Sequence, residues 1–156
     1  MKIATSRFGE IEVDPEQFIR FNEGLLGFDT LKSFTLLPVD NSQIFTWMQS
    51  TEEPQVAFLL ADPFVFFADY AVDLEPALCE ALDISSREDL VIQSIVTIPK
   101  TGVKDMTANL VGPVVINVKN RTGKQVVISH SGYTTKHRLF KEIPPENDSL
   151  QRAGEA

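Results

Sequence analysis

Residues 90–129 read LVIQSIVTIPKTGVKDMTANLVGPVVINVKNRTGKQVVIS. Leu90 to Ile98 is dominated by β-branched side chains, which suit a pleated, half-buried surface. Pro99 ends that run because it cannot donate to a ladder. Val114 to Val118 and Gln125 to Ser129 flank Asn120-Arg-Thr-Gly123. Two apolar runs around a short glycine-containing loop predict a β-hairpin. The centre of the chain is therefore built from strands.

The same chemistry extends toward the N-terminus. Phe8 to Val13 alternates apolar and acidic residues, a strand with Glu10 and Glu12 toward water. Gln17 to Phe21, Phe34 to Val39 and Ile44 to Gln49 are further strand candidates, the last two separated by the turn cluster Asp40-Asn41-Ser42. In Ile44 to Gln49, Phe45 and Trp47 share one face, which predicts Trp47 in the core. Val56 to Leu60 is continuously apolar, fit for burial on both faces. Helix signal is confined to residues 74–82, where Leu74, Leu78 and Leu82 form one stripe behind Pro76, and to a capping-box-like Ser85-Ser-Arg-Glu88 that predicts a turn over 85–89. These spacings predict an all-β, mostly antiparallel, small β-barrel-like single domain with one or two short helices. It is expected to span 1–141. Residues 142–156, with Pro144-Pro145 and then polar and small side chains, are expected to form a flexible tail.

At 156 residues, 43% hydrophobic and 23% charged, the chain has the composition of a globular domain rather than a disordered, collagenous or coiled-coil one. The N-terminus lacks an apolar signal region, and the longest uncharged run, residues 106–118, contains Gly112-Pro113 at an interruption. Thirteen residues are too few for a spanning helix. A cytoplasmic protein without membrane association is the expectation. The single cysteine, Cys79, excludes an internal disulfide framework and sits beside the leucine stripe as an inert thiol.

Charge is segregated along the chain. Residues 51–98 hold 10 acidic side chains and only Arg87 as a base, whereas residues 99–141 hold 8 basic side chains and only Asp105 as an acid; the whole chain is −8. The acidic half would attract a basic partner. Within it, aromatic and acidic residues interleave from Asp62 to Tyr70, followed by Asp73 and Glu75. Asp69, Asp73 and Glu75, with Tyr70 as a neighbouring apolar anchor, form the candidate docking surface. The basic half offers a different reading. Lys119, Arg121, Lys124, Tyr133, Lys136, His137 and Arg138 could bind single-stranded nucleic acid, although the net charge opposes it. Catalytic chemistry is under-supplied. His130 and His137 are the only histidines, no spacing singles out an acid–base pair, and no metal-ligand cluster or phosphate loop is present. No catalytic residue, metal or cofactor is expected, and a small cytoplasmic enzyme ranks last among the three classes.

Six motifs in order carry a resemblance: Phe8-Gly-Glu-Ile11, Gly24-Leu-Leu-Gly-Phe28, Phe45-Thr-Trp-Met-Gln49, Asp62-Pro-Phe64 with Asp69-Tyr70, Ile95-Val-Thr-Ile-Pro99, and Thr107 to Asn117 (TANLVGPVVIN). Gly123-Lys-Gln-Val126 and Tyr133 follow. Over roughly residues 1–140 the chain resembles the flagellar assembly factor FliW family. It departs at Gly112, where alanine is expected, and at Lys136-His137-Arg138, where an arginine is expected before the histidine and a proline after it. The resemblance implies a cytoplasmic, non-enzymatic switch, monomeric when free, with two protein partners. One is newly made flagellin. The other is CsrA, a basic RNA-binding translational repressor of flagellin messenger RNA. No direct nucleic-acid contact is implied. Asp69, Tyr70, Asp73 and Glu75 are then the expected CsrA surface, and Asn109, Pro113 and Asn117 of the most specific motif are expected to be structural or partner-binding.

Overall fold

The computed structural model describes residues 1–39, 44–73, 75–128 and 132–140. Leu74, His130 and the expected tail 142–156 lie outside these residues. An N-terminal hairpin pairs β1 (Lys2–Thr5) with β2 (Gly9–Glu12), placing Glu10 and Glu12 in water as the alternation requires. The remaining strands are β3 (Ile19–Arg20), β4 (Ser33–Pro38), β5 (Phe45–Ser50), β6 (Ala57–Ala61), β7 (Leu90–Thr97), β8 (Thr107–Ala108), β9 (Val114–Asn117), β10 (Thr122–Gln125) and β11 (His137–Arg138). Sheet order runs β11-β8-β7-β6-β5-β4-β3-β10-β9, and β9 returns to pair with β7. The result is a closed 7-strand barrel, with β8 and β11 extending the sheet beyond β7. Every pairing is antiparallel except β3–β10. The all-β barrel expectation holds.

Strand alternation sorts the side chains into an interior and two covered outer patches. Ile19, Phe21, Phe34, Met48, Leu60, Val114 and Ile116 fill the barrel, joined by Leu25 from the loop after β3. Phe21 and Phe34 meet edge to face at 5.4 Å, and Phe28 meets Phe58 at 5.2 Å. On the outer face, Leu90, Ile92 and Val115 lie under Leu78 and Leu82. Leu78 belongs to a short helix at Pro76–Ala81, and Leu82 caps its C-terminal end. The other outer patch gathers Leu59, Ala61, Val96, Met106, Ala108, Leu110 and Leu139 around Tyr70.

Two glycines are required by geometry. Gly24 adopts φ +68 with the Asp29 backbone 2.5 Å from where a Cβ would stand, so its turn folds Leu25 inward. A Cβ on Gly123 would lie 2.7 Å from the Phe21 ring, so its absence lets β10 close over the barrel interior.

The structure corrects several local expectations. The hairpin is present, but its second strand begins at Thr122 rather than Gln125, because Arg121 completes the turn in the left-handed region. Val126 and Ile128 then donate to Pro113 O and Val111 O as an irregular extension. Of Gln17 to Phe21 only Ile19–Arg20 is strand; Pro15–Gln17 is a 3-10 turn capped by Asp14. The helix predicted over 74–82 is α2 at Pro76–Ala81. The turn at Arg87–Asp89 is 3-10, and Ser86, not Ser85, accepts from Glu88 N. A further helix, α1 (Pro63–Phe66), went unread; the Asp62 carboxylate starts it by accepting from Phe64 N at 2.9 Å. Trp47 is only half-buried: it packs beneath the second outer patch, with Phe8 edge-on at 6.0 Å and the Arg7 guanidinium 4.2 Å over its ring.

Gly123→Ala is expected to destabilise the fold by about 1–3 kcal/mol, the usual cost of overpacking. Urea unfolding of the variant checks this, and an unchanged midpoint would mean that Phe21 can move aside.

Candidate functional site

The longest loop between barrel strands positions the acidic surface. After β6, α1 runs into a turn in which Tyr70 N donates to Phe67 O at 3.0 Å, leaving Asp69 exposed at the bend. The chain then crosses the outer face to α2. Ala71 to Asp73 with Glu75, Ala77 and Leu78 form one wall of a cleft of about 540 Å³, and Lys124 to Ile128 form the other. Asp73 and Glu75 are exposed on its rim, while Val72, Leu78, Val126 and Ile128 give it an apolar floor. Glu75 stands at the N-cap of α2 without making a side-chain cap, so its carboxylate is not consumed by the helix end. Asp69 lies outside the cleft, on the turn that precedes it.

Tyr70 is not the exposed anchor expected from sequence. It is 5% exposed, and its hydroxyl donates to Leu110 O at 2.8 Å. Burial pushes its phenol well above the ordinary value, with the neighbouring Tyr133 adding to the shift. Its ring packs at 4.9 Å against Tyr133, which lines the cleft and whose hydroxyl accepts from Ala71 N at 3.3 Å. The turn closed by Phe67 and Tyr70 leaves Asp69 in water while the Tyr70 ring packs inward. Its role is to hold up the cleft wall.

Asn109, Pro113 and Asn117 are architectural. Asn109 Oδ1 accepts from Val111 N at 3.1 Å and from Gly112 N at 2.9 Å, forming the turn that leads into buried Pro113. Asn117, 1% exposed, donates to Leu82 O at 2.8 Å and Asp83 O at 3.1 Å and accepts from Lys119 N at 3.0 Å. One amide thus ties the C-terminal end of α2 to the barrel and shapes the β9–β10 turn. Gln125 does similar work, donating to Gly112 O at 2.9 Å and accepting from Leu26 N at 3.0 Å.

The basic half does not assemble into one patch. Lys124 pairs with Glu23 at 3.2 Å and Arg138 with Asp105 at 2.8 Å. Hydrogen bonds from Thr101 and then Arg138 hold the Asp105 carboxyl below its usual range. His137 is half-buried and accepts from Thr134 N at 2.8 Å. Arg121 turns instead toward Arg20 and Lys32, around a separate pocket that includes Phe18. Sequence reasoning did not place Lys124 to Ile128 opposite Asp73, because only the barrel brings them together, and it read Lys124 as part of a nucleic-acid surface. It had singled out Tyr133, but for a nucleic-acid surface.

Comparison with known proteins agrees with this architecture. The model of the FliW protein family matches residues 2–139. The flagellar assembly factor FliW of Moorella thermoacetica is 43% identical over 154 residues, covering 99% of this chain and 98% of that protein. The flagellar assembly factor FliW of Geobacillus thermodenitrificans is 42% identical over 142 residues, covering 91% and 97%. A crystal structure of a flagellar assembly factor FliW superposes with a TM-score of 0.86 at 40% identity, covering 92% of this chain and 100% of the other.

Tyr70→Phe is expected to cost about 1 kcal/mol by leaving Leu110 O without its donor. A phenol whose pKa is raised on folding contributes stability that is full below its unfolded value of 10.0 and is lost as pH rises toward the folded value. Chemical denaturation of wild type should therefore weaken above about pH 10, and the phenylalanine variant should lose part of that dependence. Identical alkaline profiles would mean that Tyr70 ionises without resistance.

Proposed function

Because this chain belongs to the FliW family of flagellar assembly factors, we propose that it acts as a two-partner regulator in the cytoplasm, monomeric when free, that binds newly made flagellin and the basic RNA-binding repressor CsrA. Capture of CsrA lifts repression of flagellin messenger RNA. Two partners on one protein are linked: occupancy by one sets how much protein is free for the other. Flagellin accumulating before export occupies this protein and leaves the repressor free to act. Export of flagellin releases the protein to capture the repressor.

The observation that supports this reading best is the cleft walled by Ala71 to Asp73 with Glu75, Ala77 and Leu78 and, opposite them, by Lys124 to Ile128. It combines an apolar floor with the exposed carboxylates of Asp73 and Glu75 on its rim. Asp69 adds a third exposed carboxylate one turn away. A basic protein gains steering from the carboxylates and desolvation from the floor. The runner-up, a direct nucleic-acid module, has less support: Lys124 and Arg138 are already paired with carboxylates, and a net charge of −8 disfavours a polyanion.

Reversing Asp69 and Asp73 to lysine should slow CsrA association about tenfold at low salt, with the difference shrinking as salt is raised. Flagellin affinity should change less than about twofold, and the fold should persist because exposed charges contribute little to stability. Stopped-flow association of the double variant measures this. An unchanged rate in a folded variant would remove the acidic rim from the repressor surface.

A further inference from the structure

We propose that the pocket at the β3–β10 seam is a second docking site, one that takes an acidic, extended peptide segment of a protein partner. This site is distinct from the cleft, and its argument is independent of whether the repressor binds there. Arg20, Lys32 and Arg121 line a cavity of about 360 Å³ whose walls include Pro15 and Phe18. In a protein of net charge −8, three of the residues lining this cavity are basic and none of its lining residues is acidic.

None of the three is in an ion pair with a described carboxylate. Lys32 Nζ donates to Asn22 O at 3.1 Å, and the Arg121 guanidinium donates to Gln17 Oε1; both acceptors are neutral. Glu52 is nearby, but its Oε1 accepts from the backbone N–H groups of Lys32 and Ser33, at 2.6 and 2.9 Å, rather than from a cationic side chain. Elsewhere Lys2, Lys124 and Arg138 do have carboxylate partners.

Backbone conformation supplies a second, independent observation. Arg121 has φ 59 at the end of the β9–β10 turn, a position where glycine or asparagine is relaxed and an arginine is not. Asp83, the other described non-glycine residue at positive φ, follows the end of α2, a place where that conformation is ordinary. Arginine at position 121 carries a conformational cost, and its guanidinium is held by Gln17 beside the pocket that Arg121 lines.

The chemistry of the pocket selects its occupant. Guanidinium forks bind carboxylates in a bidentate geometry, and two forks with an ammonium suit closely spaced Glu or Asp side chains. Phe18 and Pro15 suit an apolar side chain set between those carboxylates. A nucleic-acid backbone is disfavoured because Lys124, the next cation along β10, is already paired with Glu23 and the whole chain is −8.

The probe is a fluorescein-labelled pentapeptide of four glutamates around one phenylalanine, followed by anisotropy at about 0.1 M salt, where a Debye length of about 10 Å screens distant carboxylates. The full-length protein should bind it. Affinity should fall at least about tenfold for the Arg20→Gln/Arg121→Gln double variant, and likewise for a peptide with glutamines in place of glutamates, since each loses charge-assisted hydrogen bonds. Arg121→Gly should weaken binding while leaving the melting temperature equal or higher, a split that a purely structural arginine would not produce. The proposal is overturned by no peptide binding to the wild type, by equal binding to the double variant, by a lower melting temperature with unchanged affinity in Arg121→Gly, or by a ten-uridine RNA binding these residues more tightly than the peptide.

Discussion

Barrel closure depends on a strand two residues long. β3 contributes Ile19 and Arg20, pairing with Phe34 and Ser33 of β4 on one side and with β10 on the other. The β10 contact includes Arg20 N donating to Arg121 O at 2.9 Å, across about a hundred residues of chain. So short a ladder cannot hold a seam by hydrogen bonds alone. It is held by what it buries: Ile19 and Phe21 are fully inaccessible, and Phe21 lies against the bare Cα of Gly123. Desolvation of those two side chains, rather than strand pairing, joins the edges of the sheet.

Once the barrel is closed, its outer face becomes the working surface. Apolar residues on that face need cover, and α2 with the chain from Phe67 to Val72 provides it. The cover is anchored by buried polar groups with specific partners. Asn117 holds the end of α2, and Tyr70 holds the crossing segment through Leu110. Both donate to backbone carbonyls of segments distant in the chain. The cleft is the space left between this cover and the extension of β10, and its geometry follows from those anchors.

β10 therefore stands between two surfaces of opposite character. Thr122 lines the basic pocket, while Lys124 and Gln125 line the cleft with the acidic rim. Gly123 between them faces the core, and the Lys124–Glu23 pair separates the two fields. A chain whose charge is segregated along its sequence has been folded so that the two signs meet at one strand.

Much of this was legible in the sequence, for local reasons. Period-two alternation and β-branched runs gave the strands, because a strand's two faces are written directly in neighbouring residues. The all-β barrel class followed from that reading, the leucine stripe at α2 from helical spacing, and the carboxylates of Asp69, Asp73 and Glu75 from the charge of their segment. Tertiary structure alone decided what needed a partner from afar. Tyr70 looked like a surface aromatic until Leu110, forty residues on, proved to take its hydroxyl. Asn109 and Asn117, structural or partner-binding by sequence, are tied to backbone groups around them: Asn109 Oδ1 accepts from two N–H groups and Asn117 Nδ2 donates to two carbonyls. Arg121 looked like one of a basic run until the parallel seam set it beside Arg20 and Lys32. Composition fixes how much charge and apolar surface a chain carries, but which side chains share a cavity is set by contacts between residues distant in sequence, and no local pattern encodes those.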